Sequence, residues 1–496
     1  MKKLIFVLFM PLFVQGQMNN TWLIGYGNWA VRARMVFDST NYTLTQESRQ
    51  MGFEGTEATI SDMNGNFLMS SNGVWIADAT GNTMMNGDSL NPGAEVNGNP
   101  RGLLLDYANV FLPYPGDTTK YVLFHHTCDW DGVSYPAYQV FYTVIDMTQN
   151  GGLGGVDSLQ KNIVALQDTL GWGLAACRHA NGRDWWIVAL KNQSDIAFTI
   201  LFTPSGLASV NQQHLNVPYI YYSNSQPTFS PDGTKFAYVQ GDGGTVVTYD
   251  VRIFDFDRCT GLFSNEHLID LSTGGLGFGC AFSPNSQFVY ASSTQHIYQI
   301  NTNTLFVDTV ATYDGFYSPY TWCCQTSFYN MYLAANGKIY ITSGSSVQHI
   351  HEMNYPDSAG VACDLQQHAI NLGVWSFRAV PNHPNYYLGC DTTLGCTPCY
   401  TGINEIRQHD FKFSISPNPS NGNFKIIYLL PQSATGGQAG TLLIFDITGK
   451  QIYKQNLPPW STMQYISLPK IANGVYQCVI SSGNERVHKK LVVFKE

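Results

Sequence analysis

Residues 178–190 read RHANGRDWWIVAL, and the turn near the start of this stretch has counterparts along most of the chain. The dipeptide Asn181-Gly182 favours a tight turn because both residues tolerate positive φ. The apolar and aromatic run that follows is typical of a buried β-strand. The stretch therefore predicts a hairpin whose two strands meet at Gly182.

The same pattern, a turn of Asn, Asp, Pro or Gly before a β-branched or aromatic run, is repeated along the sequence. The seven turn residues are Gly65, Gly116, Gly182, Gly233, Ser286, Gly337 and Asn385. They are separated by 51, 66, 51, 53, 51 and 48 positions. A repeat of about fifty residues that holds several strands is typical of propeller blades. We therefore predict an all-β fold in which residues 17–398 form a seven-bladed β-propeller.

The last repeat, around Asn385, has too little chain after it to complete a four-stranded blade. Residues 21–37, TWLIGYGNWAVRARMVF, contain strand-like runs and precede the first repeat. We predict that they complete the last blade, since joining both chain ends in one blade removes exposed strand edges.

The hairpin at 178–190 also concentrates reactive side chains. Cys177, Arg178, His179, Arg183 and Asp184 fall within eight positions. Polar pairs that face each other at a hairpin mouth commonly bind one another, and two arginines disfavour the charged form of a neighbouring histidine. We interpret this cluster as structural, and we assign no catalytic residue to the chain.

Composition limits the class of protein. Charged residues make up 12% of the chain and aromatic residues 14%, with a net charge of −9. A surface with so little Lys and Glu suits a turn-rich β protein that is secreted. The sequence has no basic stripe, which argues against nucleic-acid binding through phosphate neutralisation.

The N-terminus has the pattern of a secretory signal peptide. The positive MKK precedes the apolar LIFVLFMPLFV, and the small residues Val14 and Gly16 favour cleavage before Gln17. We predict a signal peptide at residues 1–16, too short to span a bilayer. No later run approaches the length of a transmembrane helix.

Export makes disulfides possible, and the chain has eleven cysteines. Cys390, Cys396 and Cys399 cluster near one predicted boundary. The CTPC motif among them has no second CxxC to complete a zinc site. We predict a disulfide or plain thiols at these three positions, and neither a metal nor a cofactor.

Two other patterns are weaker. His349 and His351 share one face of a predicted strand, but no third metal ligand accompanies them, so we predict exposed strand histidines. The stretches at Asp129 and Asp131, and at Asp62, are similar to the opening of a calcium loop. Neither has the later acidic ligand, so both predict polar turns.

The composition of the sequence changes after Cys399. Residues 399–410 are polar and predict a linker. Residues 411–496 contain six or seven short strands, enough for a small immunoglobulin-like β-sandwich. The residues that stand out in this module are Pro417, Asn418, Pro419, Gly422, Asp446, Gly449, Lys450, Gly474 and Tyr476.

In order and spacing these residues resemble the type A C-terminal sorting domain of the Bacteroidota type IX secretion system. The resemblance implies export through the outer membrane by the type IX machinery and removal of the domain. It usually also implies attachment to surface lipopolysaccharide. The expected location is therefore extracellular or on the outer-membrane surface.

The propeller resembles a family of secreted Bacteroidota proteins over most of residues 50–300. The matching stretches include EGTEATISDMNGNFLMSSNGVWI (54–76) and GCAFSPNSQFVYASS (279–293). This resemblance brings no catalytic residue with it. We predict a binding or scaffolding role toward a glycan, protein or matrix ligand. The alternative is a secreted carbohydrate-active enzyme, a glycosidase or lyase, that uses carboxylates at the channel mouth.

Overall fold

The computed structural model describes most of the chain, and its described residues are 17–27, 30–99, 101–129, 136–216, 226–241, 249–271, 277–396, 398–400, 413–428, 432–433, 436–437, 440–458, 463–482 and 485–495. The predicted signal peptide and most of the predicted linker lie outside them. The chain divides into two compact units, Met1–Tyr400 and Thr401–Glu496.

The first unit is a seven-bladed β-propeller, built from seven consecutive antiparallel sheets in its described part. Blades 1 to 3 contain β1 (Thr21–Ile24), β2 (Val31–Phe37), β3 (Tyr42–Ser48), then β4 (Ala58–Ser61), β5 (Phe67–Ser71), β6 (Ile76–Asp78), and then β7 (Asn109–Pro113), β8 (Lys120–Cys128), β9 (Ala137–Asp146), β10 (Gly155–Val156) and β11 (Ile163–Leu170).

Blades 4 to 7 have four strands each. Blades 4 and 5 contain β12 (Ala175–Arg178), β13 (Trp185–Leu190), β14 (Ile196–Thr203), β15 (Gly206–His214), and then β16 (Thr228–Phe229), β17 (Lys235–Gly241), β18 (Tyr249–Asp257) and β19 (Leu262–Asp270). Blade 6 contains β20 (Gly277–Phe282), β21 (Phe288–Ser293), β22 (His296–Asn301) and β23 (Val307–Thr312). A separate hairpin follows, formed by β24 (Tyr317–Tyr320) and β25 (Cys323–Gln325). Blade 7 contains β26 (Met331–Leu333), β27 (Ile339–Ile341), β28 (Val347–Met353) and β29 (Leu365–Ser376).

Helices are short in the described part of the chain. They are the α-helix α1 (Ala94–Gly98) and the 3-10 helices Asn150–Gly152, Gly360–Cys363 and Thr392–Leu394. Among the described residues, no helix has the length and apolar character needed to cross a bilayer.

Six of the predicted turn residues lie where expected, between the first and second strands of blades 2 to 7. All six have positive φ, from 62° to 84°; they are Gly65, Gly116, Gly182, Gly233, Ser286 and Gly337. Ser286 therefore adopts the same left-handed backbone conformation as the five glycines. The second strand of each hairpin is buried because neighbouring blades cover both of its faces; all six residues of β13 are buried.

Asn385 differs from the other turn residues, and its prediction as a blade turn is wrong. It lies between β29 and the 3-10 helix Thr392–Leu394, and residues 377–391 contain no strand. Its Oδ1 accepts a hydrogen bond from Tyr387 N at 3.0 Å and its Nδ2 donates to Pro231 O at 2.6 Å. Paired prolines at 381 and 384 remove the backbone donors that a ladder needs.

Residues 379–388, which we call the central segment, lie at the centre of the ring. His383 joins two blades: its backbone N donates to Tyr332 Oη at 2.7 Å, and its Nε2 lies 2.7 Å from Thr59 O. Asn382 Nδ2 donates to the carbonyls of Asn109 and Leu174 at 3.1 and 2.7 Å. The central segment is therefore held by the first strands of blades 2, 3 and 7 and by the residue that precedes β12.

The ring closes differently from our prediction. Residues 21–37 do not complete a blade around Asn385; β1 pairs with β2, and β2 pairs with β3, to form blade 1. Blade 1 packs on blade 7 through aromatic side chains, with Trp22 0% exposed and its ring 5.6 Å from that of Tyr340. In the described part of the propeller, side-chain packing between blades 1 and 7 closes the ring, in place of the β-ladder between the chain ends that we predicted.

The second unit is a small β-sandwich of immunoglobulin-like type. Its strands are β30 (Phe413–Ser416), β31 (Asn423–Tyr428), β32 (Gln432–Ser433), β33 (Gly436–Gly437), β34 (Gly440–Phe445), β35 (Gln451–Leu457), β36 (Met463–Ser467), β37 (Gly474–Ser482) and β38 (Glu485–Val493). One sheet has the order β30-β31-β36 and the other β35-β34-β37-β38. Their apolar faces form a separate core that includes Phe424, Ile444 and Leu491.

Candidate functional site

The reactive cluster at 177–184 lies at the β12–β13 hairpin. Cys177 is buried, and burial raises the pKa of its thiol to about 12, which opposes formation of a nucleophilic thiolate. Arg183 Nε lies 2.7 Å from Asp184 Oδ1. Arg178 donates to the carbonyl of Gly182 at 2.9 Å. These charged groups therefore bind within their own hairpin.

His179 uses both ring nitrogens in hydrogen bonds to the backbone. Its Nδ1 lies 3.0 Å from Asn181 N, and its Nε2 lies 3.1 Å from Cys259 O. Burial lowers the pKa of His179. A neutral imidazole that accepts at Nδ1 and donates at Nε2 satisfies both contacts, so the ring links blade 4 to blade 5.

The same hairpin binds the end of the propeller unit, residues 389–396 and 398–400, which we call the terminal strap. Ala180 O accepts from Asp391 N and Asn181 O accepts from Tyr400 N, both at 2.7 Å. The Arg183 guanidinium lies 3.7 Å from the ring centroid of Tyr400, a cation–π contact. Residue 400, which we assigned to the linker, thus belongs to the propeller.

The three clustered cysteines lie in the terminal strap. Cys390 pairs with Cys399, and Cys396 pairs with Cys259 of blade 5. A third disulfide joins the adjacent Cys323 and Cys324. The remaining described cysteines are buried thiols; they are Cys128, Cys177, Cys280, Cys363 and Cys478.

Gly182→Val is expected to destabilise the propeller by about 3 kcal/mol, through strain at positive φ and overpacking. A Cβ at Gly182, where φ is +78°, would lie 2.6 Å from Cys390 N in the terminal strap. Gly206→Val is the matched control, because Gly206 has φ +88° with nothing within 4 Å of its Cβ position. We expect the control to lose about 1 kcal/mol. Equal losses in urea denaturation would contradict the strap contact.

Among the described residues, the other sequence candidates do not assemble into a site. His351 is 0% exposed, and burial lowers its pKa to about 3, so our prediction of an exposed histidine is wrong there. His349 is half-buried and lies 2.7 Å from Ser318 Oγ. Asp62 accepts from the backbone of its own turn. Asp131 lies outside the described residues.

Two carboxylates that sequence reasoning missed lie at the centre of the ring. Glu57 and Asp106 are 0% and 1% exposed. Burial raises the pKa of Glu57 well above its usual value, and that of Asp106 to about 6. Neither is open to a substrate, since both side chains are buried. The burial of these two carboxylates leaves no signal in sequence spacing.

A cavity of about 580 Å³ opens at one mouth of the ring, beside the central segment. That volume suits a ligand of the size of a small molecule or a short oligomer. Its aromatic lining includes Phe229, Phe282 and Tyr387, and its amide and hydroxyl lining includes Gln17, Asn19, Ser39 and Thr228. The cavity lies between blades 1, 5, 6 and 7.

The cavity is nearly free of charge among its described lining residues. These include one carboxylate, Asp38, and no lysine or arginine. Backbone hydrogen bonds from Thr40 and Asn41 lower the pKa of Asp38. His383 also lines the cavity, and burial lowers its pKa to about 4, so its ring is neutral. The chemistry therefore favours a neutral ligand with hydroxyl groups and an apolar face.

The conspicuous residues of the C-terminal unit mostly shape its turns. Asp446 accepts from Thr448 and Lys450, and Gly449 has φ +84° in the same turn. Asn418 donates to Lys490 O at 2.7 Å and accepts from Val492 N at 2.8 Å, which joins the start of the domain to its last strand. Pro417, Pro419, Gly422, Gly474 and Tyr476 lie in the turns or at the strand end around these positions.

Residues 414–494 match the family described as the secretion system C-terminal sorting domain. The class of protein is therefore an exported β-propeller with a type IX sorting domain. It interacts with the type IX secretion machinery and is located outside the cell or at the outer-membrane surface. No curated protein matches the chain.

Solved structures with similar architecture are distant. A putative 6-phosphogluconolactonase from Bacteroides fragilis is 13% identical with a TM-score of 0.40, over 73% of this chain and 97% of that chain. A periplasmic gluconolactonase from Pseudomonas aeruginosa is 11% identical with a TM-score of 0.35, over 90% and 99%. A streptogramin B lyase is 9% identical with a TM-score of 0.30, over 74% and 87%. Likeness at this level carries nothing about activity.

Proposed function

We propose that the exported propeller is a binding module whose mouth cavity holds an uncharged glycan segment. The observation that supports this proposal is the lining of the cavity. It combines aromatic rings with amides and hydroxyls, and its described residues include one carboxylate. Aromatic faces bind the C–H face of a sugar ring, while amides and hydroxyls bind its hydroxyl groups. Attachment to surface lipopolysaccharide after processing would display this cavity to the medium.

The alternative, a carbohydrate-active enzyme, has less support. Glycoside hydrolysis generally needs two carboxylates that flank the bond, one of them protonated. Asp38 is the single described carboxylate in the cavity, and its lowered pKa keeps it ionised. Glu57 and Asp106 are covered at the centre of the ring. The distribution of carboxylates thus favours binding over turnover.

Ser39→Trp is expected to weaken glycan binding at least tenfold, because Ser39 is exposed at the rim of the cavity and an indole there would occupy the ligand's space. The wild-type chain is first screened on a glycan array, and the best ligand is titrated calorimetrically. Ser205→Trp, at an exposed turn of blade 4, is the matched control and should bind like the wild type.

The Asp38→Asn variant distinguishes a binding role from an enzymatic one. An amide can accept the same backbone hydrogen bonds as the carboxylate, so the turn and the glycan affinity should persist within threefold. Product analysis on the bound glycan is run in parallel. Release of smaller sugars by the wild type, abolished in Asp38→Asn, would refute a pure binding role.

A further inference from the structure

An exposed aromatic hairpin lies apart from the mouth cavity. It consists of β24 and β25, residues Tyr317–Gln325, inserted between blades 6 and 7. Trp322 at its tip is 79% exposed and Tyr320 is 49% exposed. Their rings are parallel within 8° at a centroid distance of 5.2 Å, and Trp375 lies 6.4 Å beyond Tyr320. A large apolar ring in this position leaves considerable area uncovered.

The hairpin is fixed from beneath. Ser318 Oγ lies 2.7 Å from His349 Nδ1, and Ser343 Oγ donates to Gln325 O at 2.8 Å. At the tip, a disulfide between Cys323 and Cys324 restrains the backbone of the two residues that follow Trp322. An indole held in place before binding loses little conformational entropy when a ligand stacks on it.

The composition of the hairpin indicates the chemistry of its ligand. Residues 317–325, YSPYTWCCQ, contain no charged side chain, so recognition there does not depend on charge. Residues 313–327 also contain no Leu, Ile, Val or Met, although apolar protein interfaces combine such side chains with aromatic ones. The rings of Trp and Tyr, which are apolar but carry a polar N–H or O–H group, suit a ligand that has an apolar face and hydroxyl groups along its edge.

We propose that this hairpin is a stacking platform for an extended neutral polysaccharide, with Trp322 as the principal contact. The hairpin connects the last strand of blade 6 to the first strand of blade 7. Such connections lie on the opposite face of a propeller from the turns between first and second strands, which line the mouth cavity. The platform is therefore a second site that is independent of the cavity.

The test uses the full chain with soluble neutral polysaccharides of several linkages, namely β-glucan, xylan, galactomannan and amylose, and with anionic alginate for comparison. Affinity electrophoresis and quenching of tryptophan fluorescence report binding. Trp322→Ala is expected to lose at least tenfold in affinity for one neutral polysaccharide. Phe306→Ala is the matched control, since Phe306 is 68% exposed on blade 6, and should bind like the wild type. Thermal unfolding should be unchanged in both variants.

Ser39→Trp distinguishes this platform from the mouth cavity: it should leave the Trp322-dependent binding of polysaccharide unchanged, whereas Trp322→Ala should leave binding at the cavity unchanged. Three results would overturn the proposal. They are no binding of any neutral polysaccharide by the wild type, equal affinity of Trp322→Ala, or a Trp322 dependence seen only with alginate or with a protein partner.

Discussion

A chain truncated after residue 410 is expected to fold and to remain in the periplasm, with almost none delivered to the cell surface. The sorting domain that matches the family model lies wholly within 414–494. The propeller unit ends at Tyr400, and among the described residues the cores of its blades contain none beyond it. Since each unit has its own core, removing the second leaves the first able to fold.

Cell fractionation and mass spectrometry test both parts of this expectation. The wild-type protein should be recovered from the surface or medium, shorter by about ninety residues if processing removes the sorting domain. The periplasmic truncated chain should show the same propeller melting temperature as the full chain. Surface delivery of the truncated chain would refute the sorting role, and a surface protein that retains Lys495 would refute processing.

The blades were predictable because their signal is local. A turn glycine such as Gly182 adopts positive φ, as the sequence pattern predicts, and the continuous apolar and aromatic run after it indicates a buried strand. Repeated six times, those two signals were enough to place blades 2 to 7. The sorting domain was predictable for a related reason, since its turn residues, such as Asp446 and Gly449, keep a fixed order.

The ring closure was not predictable in the same way. Asn385 has the composition of a turn, but the partners of its neighbours are distant in sequence: Asn382 binds carbonyls of blades 3 and 4, and His383 binds blades 2 and 7. Those contacts depend on where seven sheets meet. The same holds for the cavity, whose lining combines Gln17 with residues from four blades.

The terminal strap shows how a reactive-looking cluster acquires a structural role. The sequence correctly placed a hairpin at Gly182, but it held no sign that Cys259, 137 residues before Cys396, would be the cysteine's partner. Arg258, next to it, donates to the carbonyls of Arg178 and Gly389 at 3.0 and 2.6 Å. Blade 5, blade 4 and the terminal strap are thereby joined at one point.

Replacing both Cys259 and Cys396 by serine is expected to cost about 5 kcal/mol of stability. In the chain-entropy model the cost grows with the logarithm of the loop that the disulfide closes, and this disulfide spans 137 residues. Its removal takes away the covalent link between the terminal strap and blade 5, and the strap then stays in place only through its non-covalent contacts with blades 4 and 5. The unfolding midpoint in urea should fall accordingly.

The Cys390–Cys399 disulfide supplies the matched control. It lies in the same terminal strap but spans nine residues, so its double serine variant should cost about 2.5 kcal/mol in the same model. Reduction of the wild type should lower its midpoint at least as far as the Cys259/Cys396 variant. If the two double variants lose equal stability, the length of the closed loop does not determine how much the long disulfide stabilises the propeller.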